Sequence, residues 1–428
     1  MKCAFYTLGC KVNQYESEAM ARDLVRNGIT CVNPDEEADI YVINSCTVTA
    51  ESDRKTRQAV RRFRKNHPDS IIVLTGCMPQ ASPDTADGLP EADIIIGNRS
   101  NEKLYGLILQ FISFHNRIVA VEPHVNTEAF YGGTVSSYSE KTRAIIKIED
   151  GCNRFCSYCI IPYARGRVRS KPLEVLKKEA EELASNGYRE IVLVGINLSA
   201  YGSDTGCTMV DAVRCVADID GVDRVRLGSL EPDHITGDVI KGLSQIKKFC
   251  PQFHISLQSG CDKTLKRMNR HYNTVEYEDL CCRLRDTFPD CTLTTDVMVG
   301  FPGEIESDFE ISLNFVKKMK FEKVHVFPYS RRPGTLAAKF PEQVEKNEKQ
   351  RRAEIMTDET EKIRRRFLEK QIGKTLEIIP EENHSGSVQG YTANYIPVRA
   401  EGTCPFGEPV KVKITGAEDG FCTGEICK

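Results

Sequence analysis

The chain has 428 residues, enough for two to four domains, with 40% hydrophobic and 28% charged residues. This composition is typical of a soluble globular protein, and no apolar run reaches the length of a membrane span, so we expect no membrane partner. The net charge of −3 gives no overall indication of a nucleic-acid partner, so any basic surface must be local.

The N-terminus and the cysteine content indicate the compartment. Residues 1–8 have a strand-like pattern and lack a cleavable signal, which predicts a cytoplasmic location. Eighteen cysteines in such a chain favour metal or redox chemistry over a disulfide framework.

Residues 1–137 alternate between short apolar runs and helical patterns, which predicts an α/β domain. Strands separated by helices favour a doubly wound parallel sheet. The predicted strands are 4–8, 40–43, 71–74 and 94–96, and the predicted helices are 14–27, 51–66 and 101–114.

Three cysteines, Cys10, Cys46 and Cys77, come directly after the first three predicted strands. The carboxyl ends of parallel strands meet at one edge of a sheet, where ligands gather, so these thiols could lie together. Three thiolates suffice for a four-iron cluster with one iron left open. The alternative is that each is a small buried residue at a strand end.

The helix after Cys46 has a basic face. Its basic side chains at helical spacing are Arg54, Arg57, Arg61 and Lys65. Few acidic residues accompany them, so the face predicts contacts with nucleic-acid phosphates. The alternative is an ordinary solvated face.

Residues 138–368 contain repeated strand–helix units with six strands, which predict a partial (β/α)6 barrel with its active site at the carboxyl ends of the strands. The predicted strands are 144–148, 191–194, 225–227, 253–257, 293–299 and 324–327. The predicted helices are 172–186, 209–219, 235–247, 274–287 and 306–319, and a charged helix at 342–370 reads as a surface connector.

The loop after the first barrel strand carries Cys152, Cys156 and Cys159 at the spacing C-x3-C-x2-C. Three thiolates on a four-iron cubane leave one iron open, as a reactive site needs. A zinc site would need a fourth ligand at short range, and disulfides are unexpected without a signal peptide. With Tyr158 before the last cysteine, the spacing resembles the signature of radical S-adenosylmethionine (SAM) enzymes.

Residues at the ends of the other barrel strands are candidates for binding SAM, although each could equally be a cap or turn residue. Together with Tyr158, these candidates are Gly195, Asn197, Ser229, Glu231, Gln258, Asp296 and Gly300. Arg165 and Arg167 belong to a second basic strip, which faces either nucleic acid or solvent.

From residue 369 the pattern changes to short strands separated by Gly and Pro turns. The predicted strands are 376–379, 387–389, 395–398, 410–414 and 424–427. They predict a small C-terminal β-barrel. Such modules often bind RNA, but this one is acidic overall, so its charge does not indicate RNA.

Several motifs together resemble those of the radical SAM methylthiotransferases, and the resemblance covers essentially the whole chain. The motifs are residues 7–17 (TLGCKVNQYES), 46–49 (CTVT), 257–260 (LQSG), 296–304 (DVMVGFPGE) and 327–335 (FPYSRRPGT). The first two look most like the bacterial branch that acts on threonylcarbamoyladenosine in tRNA. The resemblance implies a TRAM-like terminal barrel and domains at 1–137, 138–368 and 369–428.

The resemblance also implies cofactors and partners. Cys152, Cys156 and Cys159 would hold a 4Fe–4S cluster that binds SAM, and Cys10, Cys46 and Cys77 an auxiliary 4Fe–4S cluster that carries the inserted sulfur. The expected reaction is methylthiolation of C2 of N6-threonylcarbamoyladenosine at position 37 of tRNA. A reductant such as flavodoxin or ferredoxin and a sulfur donor would be needed.

Alternatives remain at this stage. The same chemistry could act on isopentenyladenosine in tRNA or on an aspartate of a ribosomal protein, and the basic helix favours RNA over protein. A function of a different class is also possible, namely an iron–sulfur electron carrier or an RNA-binding sensor without turnover.

Overall fold

Three sheet systems follow one another in the computed structural model, which describes residues 1–86, 88–126, 128–138, 142–384, 386–405 and 407–427. The first is a parallel sheet with the strand order β2-β1-β3-β4-β5-β6. Its strands are β1 (Lys2–Thr7), β2 (Thr30–Val32), β3 (Ile40–Ser45), β4 (Ile71–Gly76), β5 (Ile94–Ile96) and β6 (Ile118–Ala120). Its helices are α1 (Lys11–Arg26), α2 (Ala50–Asn66), α3 (Cys77–Ala81) and α4 (Leu104–Phe114).

Helices cover both faces of this sheet, which confirms the predicted doubly wound fold. Val60 and Phe63 of α2 pack with one face, whereas Leu24 of α1 and Ile108 of α4 pack with the other. Every residue of β3 is buried for this reason, and its sequence is a continuous apolar run that ends in Asn-Ser. The sequence missed β2 and β6, edge strands of three residues that are partly exposed.

The central domain is a wall of parallel strands in two joined sheets, β11-β10-β7 and β12-β13-β14-β15. Only Gly228 separates β11 from β12, so the two segments act as one strand position and the wall has six. β7 and β15 are its two edges, which leaves the barrel open between them, as the predicted partial barrel requires. The strands are β7 (Arg143–Lys147), β10 (Glu190–Val194), β11 (Arg224–Leu227), β12 (Ser229–Leu230), β13 (Gln252–Ile255), β14 (Thr292–Val299) and β15 (Lys323–Pro328).

The helices of this domain follow the predicted pattern, and two short elements flank the cysteine loop. The flanking elements are the antiparallel pair β8 (Glu149–Asp150) and β9 (Arg169–Ser170), with α5 (Ile161–Arg165) between them. The outer helices are α6 (Leu173–Ser185), α7 (Met209–Ala217), α8 (Gly237–Ser244), α9 (Asp262–Arg267), α10 (Thr274–Thr287) and α11 (Glu306–Met319). Thr208 and Asn273 begin α7 and α10 with capping boxes.

The long helix α12 (Lys346–Glu369) is more than the predicted surface connector. Met356 is fully buried, and Arg352 is 5% exposed and pairs with Glu304 of the central domain. The helix therefore packs against the wall as well as linking it to the last domain.

The C-terminal domain is a closed barrel in the order β16-β17-β18-β20-β19, which confirms the predicted β-barrel. Its strands are β16 (Thr375–His384), β17 (Ser387–Thr392), β18 (Pro397–Glu401), β19 (Val410–Glu418) and β20 (Phe421–Ile426). Arg224 begins β11 and donates to the carbonyl of Tyr391, and Thr292 begins β14 and donates to that of Asn394. The barrel therefore covers the amino ends of the central strands. Among the described residues, no helix combines the length and apolar character that crossing a bilayer would require.

Candidate functional site

Cys10, Cys46 and Cys77 meet at the carboxyl edge of the first sheet. They follow β1, β3 and β4, which are neighbours in the sheet. Gly9 has a φ of +106°, and a Cβ there would lie 2.7 Å from Cys46 Cβ, so only glycine lets the Cys10 loop approach Cys46 this closely. Asn13 Oδ1 lies 3.9 Å from Cys10 Sγ and 4.0 Å from Cys77 Sγ, which places it among the thiols.

The chemistry of this group of three thiols is compatible with a four-iron cluster. In the part of the chain that the structure describes, no three Cys, His, Asp or Glu side chains converge on one point, as ligands of one ion do. In a four-iron cluster each thiolate binds a different iron, so the thiols need only face a shared space. Burial raises the pKa of the Cys77 thiol to about 12, so a metal is what would make it a thiolate at neutral pH.

The second cysteine group lies on the loop between β8 and α5. The Cys159 amide donates to the Cys156 carbonyl over 2.9 Å, and Ser157 is bonded to Arg267 and Met268, which fixes the turn against the end of α9. Burial, and secondarily the neighbouring thiol of Cys156, raises the pKa of Cys159 to about 12. Three thiols of one short loop, held by neighbouring segments, again fit a cluster with one open iron.

A cavity of about 1040 Å³ connects the three domains. The first domain contributes Cys10 and Lys11, the central wall contributes Asp296, and the C-terminal barrel contributes Tyr391 and Tyr395. Its volume is at the upper end of the range for small-molecule sites, so it can take more than a small cofactor.

Three of the predicted SAM contacts line this cavity, namely Gly195, Ser229 and Asp296. Glu231 lies beside the second cysteine group, because its carboxylate pairs with Arg270, whose Nη1 lies 3.3 Å from Cys156 Sγ. Asp296 is 3.2 Å from Nε2 of His254. These residues are distributed along one wall, as a long cofactor requires.

The other predicted SAM contacts have different surroundings. Asn197 is buried, its Oδ1 has no hydrogen-bond partner among the described residues, and its amide donates to Glu149 over 2.6 Å. An unsatisfied buried amide oxygen is a candidate for ligand contact. The Tyr158 ring contacts that of Phe301 edge-on, with 6.4 Å between the centroids. Gln258 has a φ of +66°, and its amide donates to the Asp296 carbonyl, so it shapes the turn beside the cavity.

Gly300, another predicted SAM contact, packs closely against a side chain of α12. A Cβ at Gly300 would lie 2.2 Å from Cγ of Lys349, so the side chain of that α12 residue fills the space. The glycine therefore allows α12 to pack against the loop after β14.

The basic face of α2 is present but partly neutralised. Arg54 and Arg61 are 57% and 58% exposed and pair with Glu51 and Glu91. Arg57 and Lys65 have no ion pair among the described residues, and Lys65 is exposed. Exposed pairs are weak and can be exchanged for phosphates, so the face remains available for an anionic partner.

The prediction that Arg165 contacts nucleic acid is wrong, because its side chain is fully buried and paired with Glu16. Arg169 and Lys171, the next basic residues along this strip, are also buried, so the strip is not a surface. Only Arg167 is exposed, with its guanidinium 5.1 Å from the Phe155 ring centroid.

The sequence analysis did not identify Asn13, Glu16 or Arg270 as site residues. It identified Arg165, but as a surface residue. Asn13 and Glu16 lie three and six residues after Cys10, on the helix that Cys10 caps. That helical spacing was a usable signal, since it places both near the thiol. Arg270 had no such signal, because only the fold brings it to Cys156.

Comparisons with known proteins agree with this geometry. Residues 2–97 match the family model described as Uncharacterized protein family UPF0004, and residues 146–316 match the Radical SAM superfamily. The fold is similar to that of the radical SAM methyltransferase TsrM from Kitasatospora setae, with a TM-score of 0.59 and 14% identity, over 78% of this chain and 73% of that one.

Three relatives are similar over nearly their whole length. A threonylcarbamoyladenosine tRNA methylthiotransferase from Bacillus subtilis (strain 168) is 39% identical, over 99% of this chain and 96% of that protein. A protein of the same name from Thermotoga maritima is 38% identical, over 91% of this chain and 89% of that protein. A tRNA-2-methylthio-N(6)-dimethylallyladenosine synthase from Pelotomaculum thermopropionicum is 33% identical, over 99% and 97%. The chain therefore belongs to the radical SAM methylthiotransferase family.

Proposed function

We propose that this enzyme methylthiolates C2 of N6-threonylcarbamoyladenosine beside the anticodon, at position 37 of tRNA. The product is 2-methylthio-N6-threonylcarbamoyladenosine, and the cofactors are two 4Fe–4S clusters and SAM. The observation that carries the proposal is the pair of three-cysteine groups together with a cavity that reaches Cys10 from the barrel wall. Five relatives named for this substrate are 32–39% identical to the chain, and three dimethylallyladenosine synthases are 33% identical.

Each of the first two domains would hold one of the two clusters. Cys10, Cys46 and Cys77 would hold the auxiliary cluster in the domain of residues 1–137, and Cys152, Cys156 and Cys159 the other cluster in the domain of residues 138–368. Bound there, the cofactors supply radical chemistry, which C2–H of adenine requires because it is not acidic enough for a general base at neutral pH. Gly195, Asn197, Ser229, Glu231 and Asp296 would orient SAM along the wall.

Lys11 supports threonylcarbamoyl over isopentenyl adenosine. Lys11 follows Cys10 directly and lines the same cavity. In the described part of the chain Lys11 forms no ion pair, and burial lowers the pKa of its ammonium group, on which Tyr395, Arg143, Arg226 and Glu190 also act. The threonylcarbamoyl group ends in a carboxylate that this cation can bind, whereas the isopentenyl group is uncharged.

The tRNA would bind through its backbone and present one base. The exposed side chains of α2, with Arg57 and Lys65, would contact phosphates and set the register of the anticodon stem. The cavity is a concave site between the domains, so the target base has to leave its stack to enter it. Phe155 on the second cysteine loop and Arg167 after α5 form an exposed cation–aromatic pair, suited to an unstacked neighbouring base. A cytoplasmic location, a flavodoxin or ferredoxin reductant and a separate sulfur donor belong to the same proposal.

Mass spectrometry of tRNA nucleosides tests the substrate. In cells without this gene, threonylcarbamoyladenosine should persist and its 2-methylthio form should vanish, while methylthiolated isopentenyladenosine stays unchanged. Loss of the isopentenyl product instead would overturn the substrate assignment. An unchanged nucleoside profile, with a modified ribosomal-protein aspartate lost, would move the activity to protein.

A further inference from the structure

Arg165 is a buried cation in contact with a cysteine of the first group. It ends α5, its side chain is 0% exposed, and its Nε–H donates to Sγ of Cys77 over 3.2 Å. Nη2 donates to Asn13 Oδ1 over 2.7 Å and to Glu16 Oε2 over 3.0 Å, and Nη1 bonds to the other oxygen of Glu16. The guanidinium therefore has one fixed orientation, with one N–H aimed at sulfur.

The same network reaches the second cysteine loop. Lys147 Nζ lies 2.7 Å from Glu16 Oε1 and 2.6 Å from Asp150 Oδ2. Asp150 precedes Gly151 and Cys152, so the chain of contacts Cys77–Arg165–Glu16–Lys147–Asp150 joins the two groups. A buried network with this many ion pairs holds its members in place, because removal of one leaves a charge unpaired in a low dielectric.

The second group has a matching arginine. Arg270 is 3% exposed, its Nη1 donates to Sγ of Cys156 over 3.3 Å, and its other terminal nitrogen pairs with Glu231. Each cysteine group thus has one buried arginine that is paired with a carboxylate and donates to one sulfur, and Arg165 also lies 3.6 Å from Asp150 Oδ2.

We propose that Arg165 is a positioning residue that raises the reduction potential of the cluster held by Cys10, Cys46 and Cys77, and that Arg270 does the same for the cluster held by Cys152, Cys156 and Cys159. The inference rests on the proposed function, since it requires clusters at both groups. Reduction adds one negative charge to a cluster, and a buried cation with an N–H bonded to a ligand sulfur stabilises that charge. Separate arginines allow the two potentials to be set independently.

The test measures each cluster alone by potentiometric titration with dithionite, followed by electron paramagnetic resonance. The full chain with Cys152, Cys156 and Cys159 changed to Ala reports the auxiliary cluster. In this background Arg165→Met should lower the ratio of reduced to oxidised cluster at a fixed potential at least tenfold, which corresponds to about 59 mV for one electron. Arg165→Lys keeps a charge but loses the Nε–H donor, and should lower it by a smaller factor.

Arg270→Met is the matched control in that background and should leave the potential unchanged. In the reciprocal background, Cys10, Cys46 and Cys77 are changed to Ala. There Arg270→Met should lower the reduction potential, and Arg165→Met should leave it unchanged. If the Arg165→Met variant binds no iron, the reduction potential of the Arg165→Lys variant is the deciding measurement. An unchanged auxiliary potential in an iron-loaded Arg165 variant overturns the inference, as does an equal response to Arg270→Met. If the parent background itself binds no four-iron cluster, the proposed cluster assignment fails instead.

Discussion

Arg332, on the loop after β15, pairs with Asp53 in the first turn of the basic helix α2. Both side chains are buried, at 5% and 8% exposure, and the same guanidinium donates to Thr47, one residue after Cys46. A buried pair that loses one partner costs roughly 3–5 kcal/mol, so this contact holds α2 and the Cys46 loop firmly to the rim of the barrel. The basic face of α2 therefore has a fixed position relative to the central domain.

The first prediction concerns that face. Changing Arg57 and Lys65 to Glu should raise the dissociation constant for tRNA and reduce the slope of log K against log salt by roughly 2, since each phosphate contact contributes about 0.9. SAM cleavage without tRNA should not change, because the second cysteine group lies in another domain. Filter binding across a salt series measures the slope.

The control for the first prediction is a charge reversal elsewhere. Lys241 of α8 is exposed and has no ion pair among the described residues, so Lys241→Glu changes the net charge without touching α2. If Lys241→Glu weakens tRNA binding as much per charge as the α2 variant, the effect comes from overall charge and α2 is only a solvated face.

The sequence predicted the sheets and both cysteine groups, because these depend on local patterns. Cys10, Cys46 and Cys77 each follow an apolar run, and parallel strands must bring such positions together. The prediction that Arg165 contacts nucleic acid was wrong for a related reason. A run of basic residues looks like a surface unless the partners are known, and Glu16 lies 149 residues away in the chain. Gly300 likewise faces Lys349, which no local pattern connects to it.

The second prediction separates the two cysteine groups. The anaerobically reconstituted chain should hold about eight irons, and changing either triplet of cysteines to Ala should leave about four. The variant without Cys10, Cys46 and Cys77 should still produce 5′-deoxyadenosine from SAM but form no methylthio product. Iron analysis and chromatography of the products measure both effects. Full iron content in that variant would contradict the auxiliary cluster, and loss of SAM cleavage in a folded protein would contradict separate roles.

The third prediction concerns Lys11 and the substrate carboxylate. Lys11→Met should raise KM for an anticodon stem-loop with threonylcarbamoyladenosine about tenfold or more, because a hydrogen bond to a charged group contributes roughly 1.5–3 kcal/mol. The parent enzyme should lose the same factor when the carboxylate is blocked as a methyl ester, and the variant should not distinguish acid from ester.

Lys323, which lines the same cavity, is the control for Lys11. Lys323→Met should keep the preference for the acid over the ester. If that variant loses the preference and Lys11→Met keeps it, the carboxylate binds at the other end of the cavity.

The last prediction concerns the contact between the C-terminal barrel and the wall, which centres on Glu190. Glu190 begins β10, is 1% exposed and accepts a hydrogen bond from Nε of Arg226 over 2.8 Å. Arg226 in turn donates to the carbonyls of Thr392 and Ala393 in the C-terminal barrel. Burial alone would raise the pKa of Glu190, but Arg226, with Arg143 and Arg224, holds it below its usual value. The carboxylate therefore organises the arginines that bind the barrel.

Glu190→Gln should weaken this contact by roughly 3–5 kcal/mol at pH 7, because it leaves buried guanidinium groups without their anion. A depressed pKa contributes stability that is present above the unfolded-state value of about 4.3 and is lost as pH falls through the folded-state value. The difference between parent and variant should therefore shrink below about pH 4.3. Hydrogen exchange of β17 and β18 amides reports the free energy of opening.

Glu377→Gln is the matched control, since Glu377 binds Arg224 over 2.9 Å but is 51% exposed, and should cost roughly 0–1 kcal/mol. Equal losses in the two variants would show that burial of Glu190 is not what stabilises the contact.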